Sequence, residues 1–201
     1  RNHSSAASDV YKRQQLNTIN AATATAVNLT HVTGLAASSL SDLGTLATAI
    51  DAGEFSNASG LTAIAVSDAT VDATTLATRI DDFDDIGDAT TDMTLASGAT
   101  VNVDADEITH MLADRTAGRL SIDDQKITVN AADTISVDTA NDLSSITTGV
   151  LTATIATTET VGELATLSAD GGNNALTITI REDDATACLL YTSDAADEWL
   201  R

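Results

Sequence analysis

A short motif that begins with Val-Asp recurs along this chain at intervals of about 33 residues, within the range of repeat architectures. It reads VDATTL at residues 71–76, VDADEI at residues 103–108 and VDTANDL at residues 137–143. A second pair, LATAID at residues 46–51 and LATRID at residues 76–81, supports this repetition. Repetition at a period of roughly 20–50 residues is typical of architectures in which each unit packs only on its neighbours. The spacing therefore predicts a stack of similar units.

Each Val-Asp motif predicts a strand that ends and a helix that begins. In a capping box, a Ser, Thr or Asp side chain accepts a hydrogen bond from the amide three residues later, and an acidic residue there reaches back. The expected boxes are Ser39/Asp42, Asp104/Glu107, Thr139/Asp142 and Thr160/Glu163, and Asp72 has the cap without the acid. The caps are nearly evenly spaced except for the last interval, which is shorter and indicates either a shortened last unit or a misassigned element.

Apolar residues at helical spacing follow these caps and predict one short helix in each unit. The stripes are Leu40, Leu43, Leu46 and Ile50; Ala73, Leu76, Ile80 and Phe83; Ile108, Met111 and Leu112; and Leu143 and Ile146. Several helices are expected to end near a glycine, where a positive φ is tolerated: Gly53, Gly118, Gly149 and Gly171. We expect Leu46, Leu76 and Ile108 to anchor their helices on the strands.

Between the helices, apolar residues alternate with Thr, Ser and Asn, which predicts short, half-buried strands. The alternating sets are Val101/Val103, Leu120/Ile122, Ile127/Val129, Ile135/Val137 and Leu176/Ile178/Ile180. The predicted fold is an α/β repeat (solenoid-like), with units of about 33 residues that each hold short stacked strands and one short helix. The alternatives are an irregular α+β fold and a β-solenoid.

The two ends of the chain are expected to be foreign to the protein. A codon choice for SSAASDVYKRQ, residues 4–14, has a reverse complement that encodes CLLYTSDAAD, residues 188–197. This DNA resembles the mosaic-end adapter of transposon-based sequencing libraries. Residues 1–14 and 188–201 are therefore predicted to be adapter-derived and disordered, and such segments do not belong in fold reasoning. Residues 15–187 are predicted to be a repeat segment cut from a longer array, a metagenomic fragment.

The composition of residues 15–187 limits the classes of function. They contain no Cys, Pro, Trp or Tyr, and the segment carries 26 acidic and five basic residues, a net charge of −21. Nucleic-acid binding needs a basic footprint, so this acidity argues against it. No apolar run approaches the roughly 20 residues that cross a bilayer, so no membrane insertion is expected. The lack of cysteine is consistent with an extracellular bacterial protein.

Two further stretches carry a family resemblance. They are LNTINAATATAVNL at residues 16–29 and LADRTAGRLSI at residues 112–122. Together with the recurring Val-Asp-Ala, they resemble the Ala/Thr/Asp-rich tandem repeats of very large bacterial surface and secreted proteins, which are adhesin-like or of the hemolysin-type calcium-binding group. The resemblance implies an extracellular structural array. The calcium signature GGxGxD of that group is absent, since GGNNAL at residues 171–176 has only its first two glycines.

No spacing in the sequence indicates a catalytic or cofactor site. The densest acidic run is residues 79–92, where Asp82, Asp84 and Asp88 are weak candidates for calcium ligands. An EF-hand would need an oxygen donor in place of Ile86 and a Glu in place of Met93, so that loop is excluded. The alternative interpretation of this acidic run is a solvated helix end with a polar loop. His31 and His110 show no metal-ligand spacing and are expected at the surface.

The sequence therefore predicts a structural or adhesive repeat segment of a giant extracellular or cell-surface bacterial protein, without catalysis. The expected partners are flanking repeats of the same chain, with surface glycans or other cells as further candidates. The alternative is a calcium-dependent secreted repeat module, in which cations between units neutralise the charge of −21 and complete folding.

Overall fold

A computed structural model describes residues 9–11, 13–86, 91–168 and 174–180. Within these ranges the chain alternates between short strands and short helices. The strands are β1 Asp9–Tyr11, β2 Val27–Asn28, β3 Val32–Ser38, β4 Phe55–Ser56, β5 Ala63–Val66, β6 Thr70–Asp72, β7 Asp92–Thr94, β8 Thr100–Val103, β9 Leu120–Ser121, β10 Lys126–Val129, β11 Leu151–Thr154 and β12 Ala175–Thr177. The six α-helices described are α1 Arg13–Ala21, α2 Leu40–Asp51, α3 Ala73–Ile86, α4 Ile108–Thr116, α5 Val137–Ser145 and α6 Val161–Leu164.

The strands form parallel sheets, so the fold is mixed α/β. The first sheet has the order β1-β3-β5-β7-β9, the second has the order β12-β11-β10-β8-β6, and β2 pairs with β4. Every pair of named strands in these sheets is parallel. Helix α1 packs on α2, α2 on α3, and α3 on α4. The predicted mixture of short strands and short helices is confirmed.

The predicted interval of about 33 residues, although typical of repeat proteins, does not describe how the strands pair. Val71 pairs with Val101, and Val101 pairs with Ile127, so register partners are closer in sequence than predicted. Across the named strand pairs the separation varies between roughly 23 and 30 residues, whereas a regular array would keep one period.

The three Val-Asp motifs are not structurally equivalent. Asp72 pairs with Asn102 and not with Asp104, so the first two motifs are out of register with each other. The third motif is not in a strand at all, since Val137 is the first residue of α5.

Two of the four predicted capping boxes hold the caps that were expected. The Ser39 hydroxyl accepts a hydrogen bond from the amide of Asp42 at 3.1 Å. Asp72, predicted as a cap without the acidic residue, also accepts a hydrogen bond, from the amide of Thr75. Thr160 and Glu163 form a complete box. The amide and then the hydroxyl of Thr160 bond the Glu163 carboxylate and hold its pKa below the usual value.

The other two predicted capping boxes, Asp104/Glu107 and Thr139/Asp142, are wrong. Helix α4 begins at Ile108 after Glu107, which makes no side-chain cap, because residues 104–107 close a turn of their own through a bond from the Glu107 amide to the Asp104 carbonyl. In α5 the cap is Ser136, whose hydroxyl accepts from the amide of Thr139. A serine three residues upstream therefore starts that helix earlier than Thr139/Asp142 predicts. Ile135 and Val137 were predicted to lie in a strand, but they flank the Ser136 cap at the start of α5. Ile135 forms one isolated β-bridge, with Ile155.

The apolar stripes form the core, as predicted. Leu46, Leu76 and Ile108 are 0%, 1% and 3% exposed, and Phe83 is also buried. The strands contribute the facing side, with fully covered residues such as Val101, Ile127 and Leu151. At the end of the chain the predicted alternation holds only in part, since β12 covers Ala175–Thr177 and Ile178 and Ile180 are exposed.

Glycine has two different functions in this fold. Gly53 and Gly118 adopt positive φ after α2 and α4, as predicted. Gly149 is used for close packing, because a Cβ there would overlap the Gln125 carbonyl oxygen. Gly171 lies outside the described residues.

Buried Gln125 links three segments that are distant in sequence. Its side-chain amide donates to the carbonyl of Ala96 at 3.1 Å, and its side-chain oxygen accepts from the amide of Asp123 at 2.7 Å. The Thr147 hydroxyl donates to the Gln125 main-chain carbonyl. This polar node lies where the chain turns between the two sheets, so it fixes the relative placement of their strands.

The segments predicted to be adapter-derived lie mostly outside the described residues. Within residues 1–14, Asp9–Tyr11 forms strand β1, which pairs in parallel with β3. Residues 188–201 lie outside the described ranges. The origin of both segments remains a prediction from the sequence.

We expect Gly149→Ala to destabilise the protein by about 1–3 kcal/mol, because a methyl group would overlap the Gln125 carbonyl and force the backbone apart. Urea unfolding followed by circular dichroism measures the loss. Gly162→Ala is the matched control: its Cβ would lie 3.7 Å from Thr160, in ordinary contact. An equal loss in both variants would contradict the packing argument.

Asp124 should make stability depend on pH. The Ser97 hydroxyl, and then the Gly98 amide, bond its carboxylate and hold its pKa below the ordinary value. A depressed pKa in the folded state contributes stability above the unfolded value of about 3.9, and that contribution disappears as pH falls through the folded value. We expect Asp124→Asn to melt lower than its charge-matched neighbour Asp123→Asn at neutral pH, with the gap closing in acid. A gap that stays constant as pH falls, with no decrease below the unfolded pKa of about 3.9, would exclude this origin.

Candidate functional site

The two described candidate calcium ligands, Asp82 and Asp84, bond different arginines. Asp82 bonds Arg79, with Oδ2 2.6 Å from Nη1, and Asp84 bonds Arg119, with Oδ2 3.2 Å from Nη1. Residues two apart on a helix do not face each other, and each carboxylate already has a cationic partner. Asp88 lies outside the described residues. In the part of the chain that the structure describes, no group of three or more His, Cys, Asp or Glu could hold a metal ion.

Asp114, the charged residue that is buried among those described, belongs to an ion-pair network that joins α3, α4 and the residue before β9. Arg119 bridges Asp84 on α3 and Asp114 on α4, and the Asp114 side chain is only 1% exposed. Burial alone would lower the pKa of Arg119, but the bond to Asp84 and the charges of Asp114 and Asp84 raise it above the ordinary value. The guanidinium therefore stays charged and holds the two helices together.

This network is structural, and the sequence did not predict it. Asp84 and Asp114 lie 35 and 5 residues before Arg119, so no single local pattern joins the three residues. Asp114 Oδ2 and Arg119 Nε are buried without hydrogen-bond partners. A cavity too small for a substrate, about 10 Å³, lies beside Asp114. These features describe a constrained packing contact.

His31 and His110 are both exposed, as predicted. His31 follows β2 and lines a surface depression at the first helix, and His110 lies on α4. Among the described residues, neither belongs to a cluster of metal-ligating side chains.

A wide polar depression lies across the second sheet, near the carboxyl ends of its strands. We call it the strand-end groove; its volume is about 460 Å³. Its polar lining residues are Asp72, Asn102, Asp104, Thr128, Asn130, Thr152, Thr154 and Thr177. Successive strands supply them because the sheet is parallel, so equivalent strand ends meet on one edge.

Strand register arranges these side chains in rows. Asp72 pairs with Asn102, Asn102 with Thr128, and Thr128 with Thr152. Neighbours in a row are separated by the strand spacing of about 4.8 Å. In the next row the side-chain amide of Asn130 donates to Asp104 Oδ1 at 2.9 Å, which fixes both groups. Period-two alternation in the sequence identifies which residues face outward, but not which strands lie beside each other.

The described lining of the groove can form hydrogen bonds with a ligand. Carboxylates, carboxamides and hydroxyls alternate along it, and its described lining residues include neither a basic nor an aromatic side chain. Anionic ligands are disfavoured by Asp72, Asp104 and the net charge of −21. The groove therefore suits a neutral, hydroxyl-rich or weakly cationic ligand.

Comparisons of this chain with protein-family models, with curated proteins and with solved structures give no match. Among the described residues, no helix is long and apolar enough to cross a membrane. Functional inference therefore depends on the residues of this chain alone.

We expect Arg119→Met to cost about 3 kcal/mol, because it leaves the Asp114 carboxylate buried without a counter-charge. Arg79→Met is the control, since its pair with Asp82 is partly exposed and should contribute about 1 kcal/mol or less. Urea denaturation gives both free energies of unfolding. Adding Asp114→Asn to Arg119→Met should recover part of the loss. No recovery, or equal costs for the two arginines, would argue against a buried ion pair.

Proposed function

We propose that this chain is a structural segment of an elongated extracellular bacterial protein, in which successive turns of chain stack into a solenoid rod. The observation that carries the proposal is the strand register. Each named strand pair joins segments roughly 23 to 30 residues apart, always in parallel. A chain that returns to the same place after each such interval stacks one turn on the previous turn.

Contacts between turns extend beyond the backbone. The helices α1 to α4 pack as a consecutive row. Carboxylates cap the backbone of the preceding turn: Asp68 accepts from the amide of Leu40 at 2.7 Å, and Asp133 accepts from the amide of Ala105 at 3.0 Å. These contacts have sequence separations of 28 residues, like the strand pairs. They support a unit that is completed only by its neighbour.

The acidic surface is part of the proposed role. A net charge of −21 on 201 residues keeps such a rod soluble and makes lateral association of rods unfavourable. The strand-end groove is where an adhesive contact would form, and its hydroxyl and carboxamide groups favour neutral glycans at a cell surface. In this proposal the chain has no catalytic function.

The calcium-dependent module is the less favoured function. The described candidates Asp82 and Asp84 bond arginines, which occupy the space that a cation would need. Asp68 and Asp133 are likewise engaged with backbone amides. The acidic residues that the structure describes in these positions therefore have structural partners without a metal ion.

Removal of one whole turn tests the stack. Deleting residues 63–91 joins Thr62 to Asp92 and puts Asp92 in the place of Ala63, its register partner. In a stack the stability is approximately a sum over neighbouring units, so this variant should keep a mixed α/β spectrum and a cooperative, lower melt. In a domain with one indivisible core, loss of β5, β6 and α3 would abolish folding.

Deletion of α3 alone, Ala73–Ile86, is the control, because it removes half a turn and breaks the register of all later strands. It should abolish the cooperative melt. If both deletions unfold the chain, the stacked-rod proposal is wrong. A melting temperature that rises in calcium relative to chelator, and not with sodium at equal ionic strength, would favour the calcium-dependent module instead.

A further inference from the structure

Two stretches of the chain fit the pattern at which asparagine side chains accept sugars, an Asn followed two residues later by Ser or Thr. They are NLT at residues 28–30 and NAS at residues 57–59. The sequence treats the two stretches alike. The structure gives them different conformations and different hydrogen bonds, so it distinguishes between them.

The first pattern is extended and exposed. Asn28 is the last residue of β2, and both Asn28 and Thr30 are exposed, whereas Leu29 between them is only 1% exposed. Alternate side chains of an extended chain lie on the same side of it. The two side chains that define the pattern are therefore accessible together.

Hydrogen bonds determine which atom of the Asn28 side chain is available. Its Oδ1 accepts from the main-chain amide of Thr30 at 2.9 Å and from the Thr30 hydroxyl at 2.6 Å. Because a main-chain N–H can only donate, the atom that it contacts must be the oxygen. Oδ1 also accepts from Asn57 Nδ2 at 3.2 Å. Among the described residues, Asn28 Nδ2 has no hydrogen-bond partner.

The second pattern is closed into a turn. Asn57 adopts a φ of 56° and is followed by the 3-10 turn Ala58–Gly60. Ala58 is buried and Ser59 is half-buried. Residues two apart in a helical turn do not face each other, so Asn57 and Ser59 are not presented together. Asn57 Nδ2, the atom that would carry a sugar, already donates to Asn28.

We propose that Asn28 is a glycosylation site of the folded protein and that Asn57 is not. The donor is a sugar activated as a diphosphate ester of a nucleotide or a lipid. A bond forms between the sugar C1 and Asn28 Nδ2, and the bond between C1 and the phosphate oxygen breaks. Nδ2 loses one proton to a base of the transferase, and the diphosphate leaves. This site goes beyond the proposed rod and does not depend on it.

The described contacts of Asn28 survive this modification. Substitution at Nδ2 gives a secondary amide, which keeps its carbonyl oxygen. The bonds from Thr30 and Asn57 all end on that oxygen. We therefore expect the modified protein to melt at the same temperature as the unmodified protein or higher.

Intact-mass measurement of the folded full chain tests the proposal. The chain is incubated with an asparagine glycosyltransferase, in one arm with a nucleotide-linked sugar and in the other with a lipid-linked sugar, which identifies the donor. Each transferase is chosen because it modifies synthetic peptides of residues 24–33 and 53–62. Although both peptides are substrates, we expect the folded chain to gain a sugar at Asn28 alone.

Asn28→Gln should abolish the mass increase, and Asn57→Gln should leave it unchanged. Thr30→Val removes the hydroxyl of the pattern and should also abolish the increase, whereas Thr33→Val, at another exposed threonine, is the matched control. A folded chain that gains no sugar from either donor overturns the proposal, and so does equal modification of Asn57. Either result leaves the outcome of the 63–91 deletion, and with it the stacked rod, unaffected.

Discussion

Parallel pairing between strands that lie roughly 23 to 30 residues apart is the constraint on which the other features of this fold depend. It places apolar side chains of successive segments above one another, so that Val71, Val101, Ile127 and Leu151 form one continuous buried row. The helices then have to return the chain to the start of the next strand, and they lie side by side for the same reason. With few aromatic residues, the core depends on this repeated alignment of small aliphatic side chains.

Local interactions could be predicted from the sequence, and long-range ones could not. Ser39 and Thr160 are recognisable as caps because a helix N-terminus is specified within four residues. Register was missed because a strand of three or four residues pairs almost equally well when slipped by two, with the same faces buried. The Val-Asp pairs at residues 71 and 103 suggested one alignment, whereas burial of Val101 against Val71 selected the other.

The polar features show the same division. Alternation alone indicates that Asp72, Asn102 and Thr128 face outward, so the composition of the strand-end groove is visible in the sequence. Their assembly into one groove requires the strand order. The ion-pair network of Asp84, Arg119 and Asp114 had no sequence signal, because its partners come from two helices whose packing the sequence pattern does not specify. The acidic run containing Asp82 and Asp84 suggested a cation site only while those arginine partners were unknown.

The acidic residues of this chain contribute to its fold as well as to its charge. Described carboxylates with resolved partners mostly bond amides, hydroxyls or arginines of a neighbouring segment, so the acidic residues help to join segments as well as keep the protein in solution. The remaining surface repels other copies except where it is uncharged. The same side chains therefore both hold the fold together and keep copies of the chain apart.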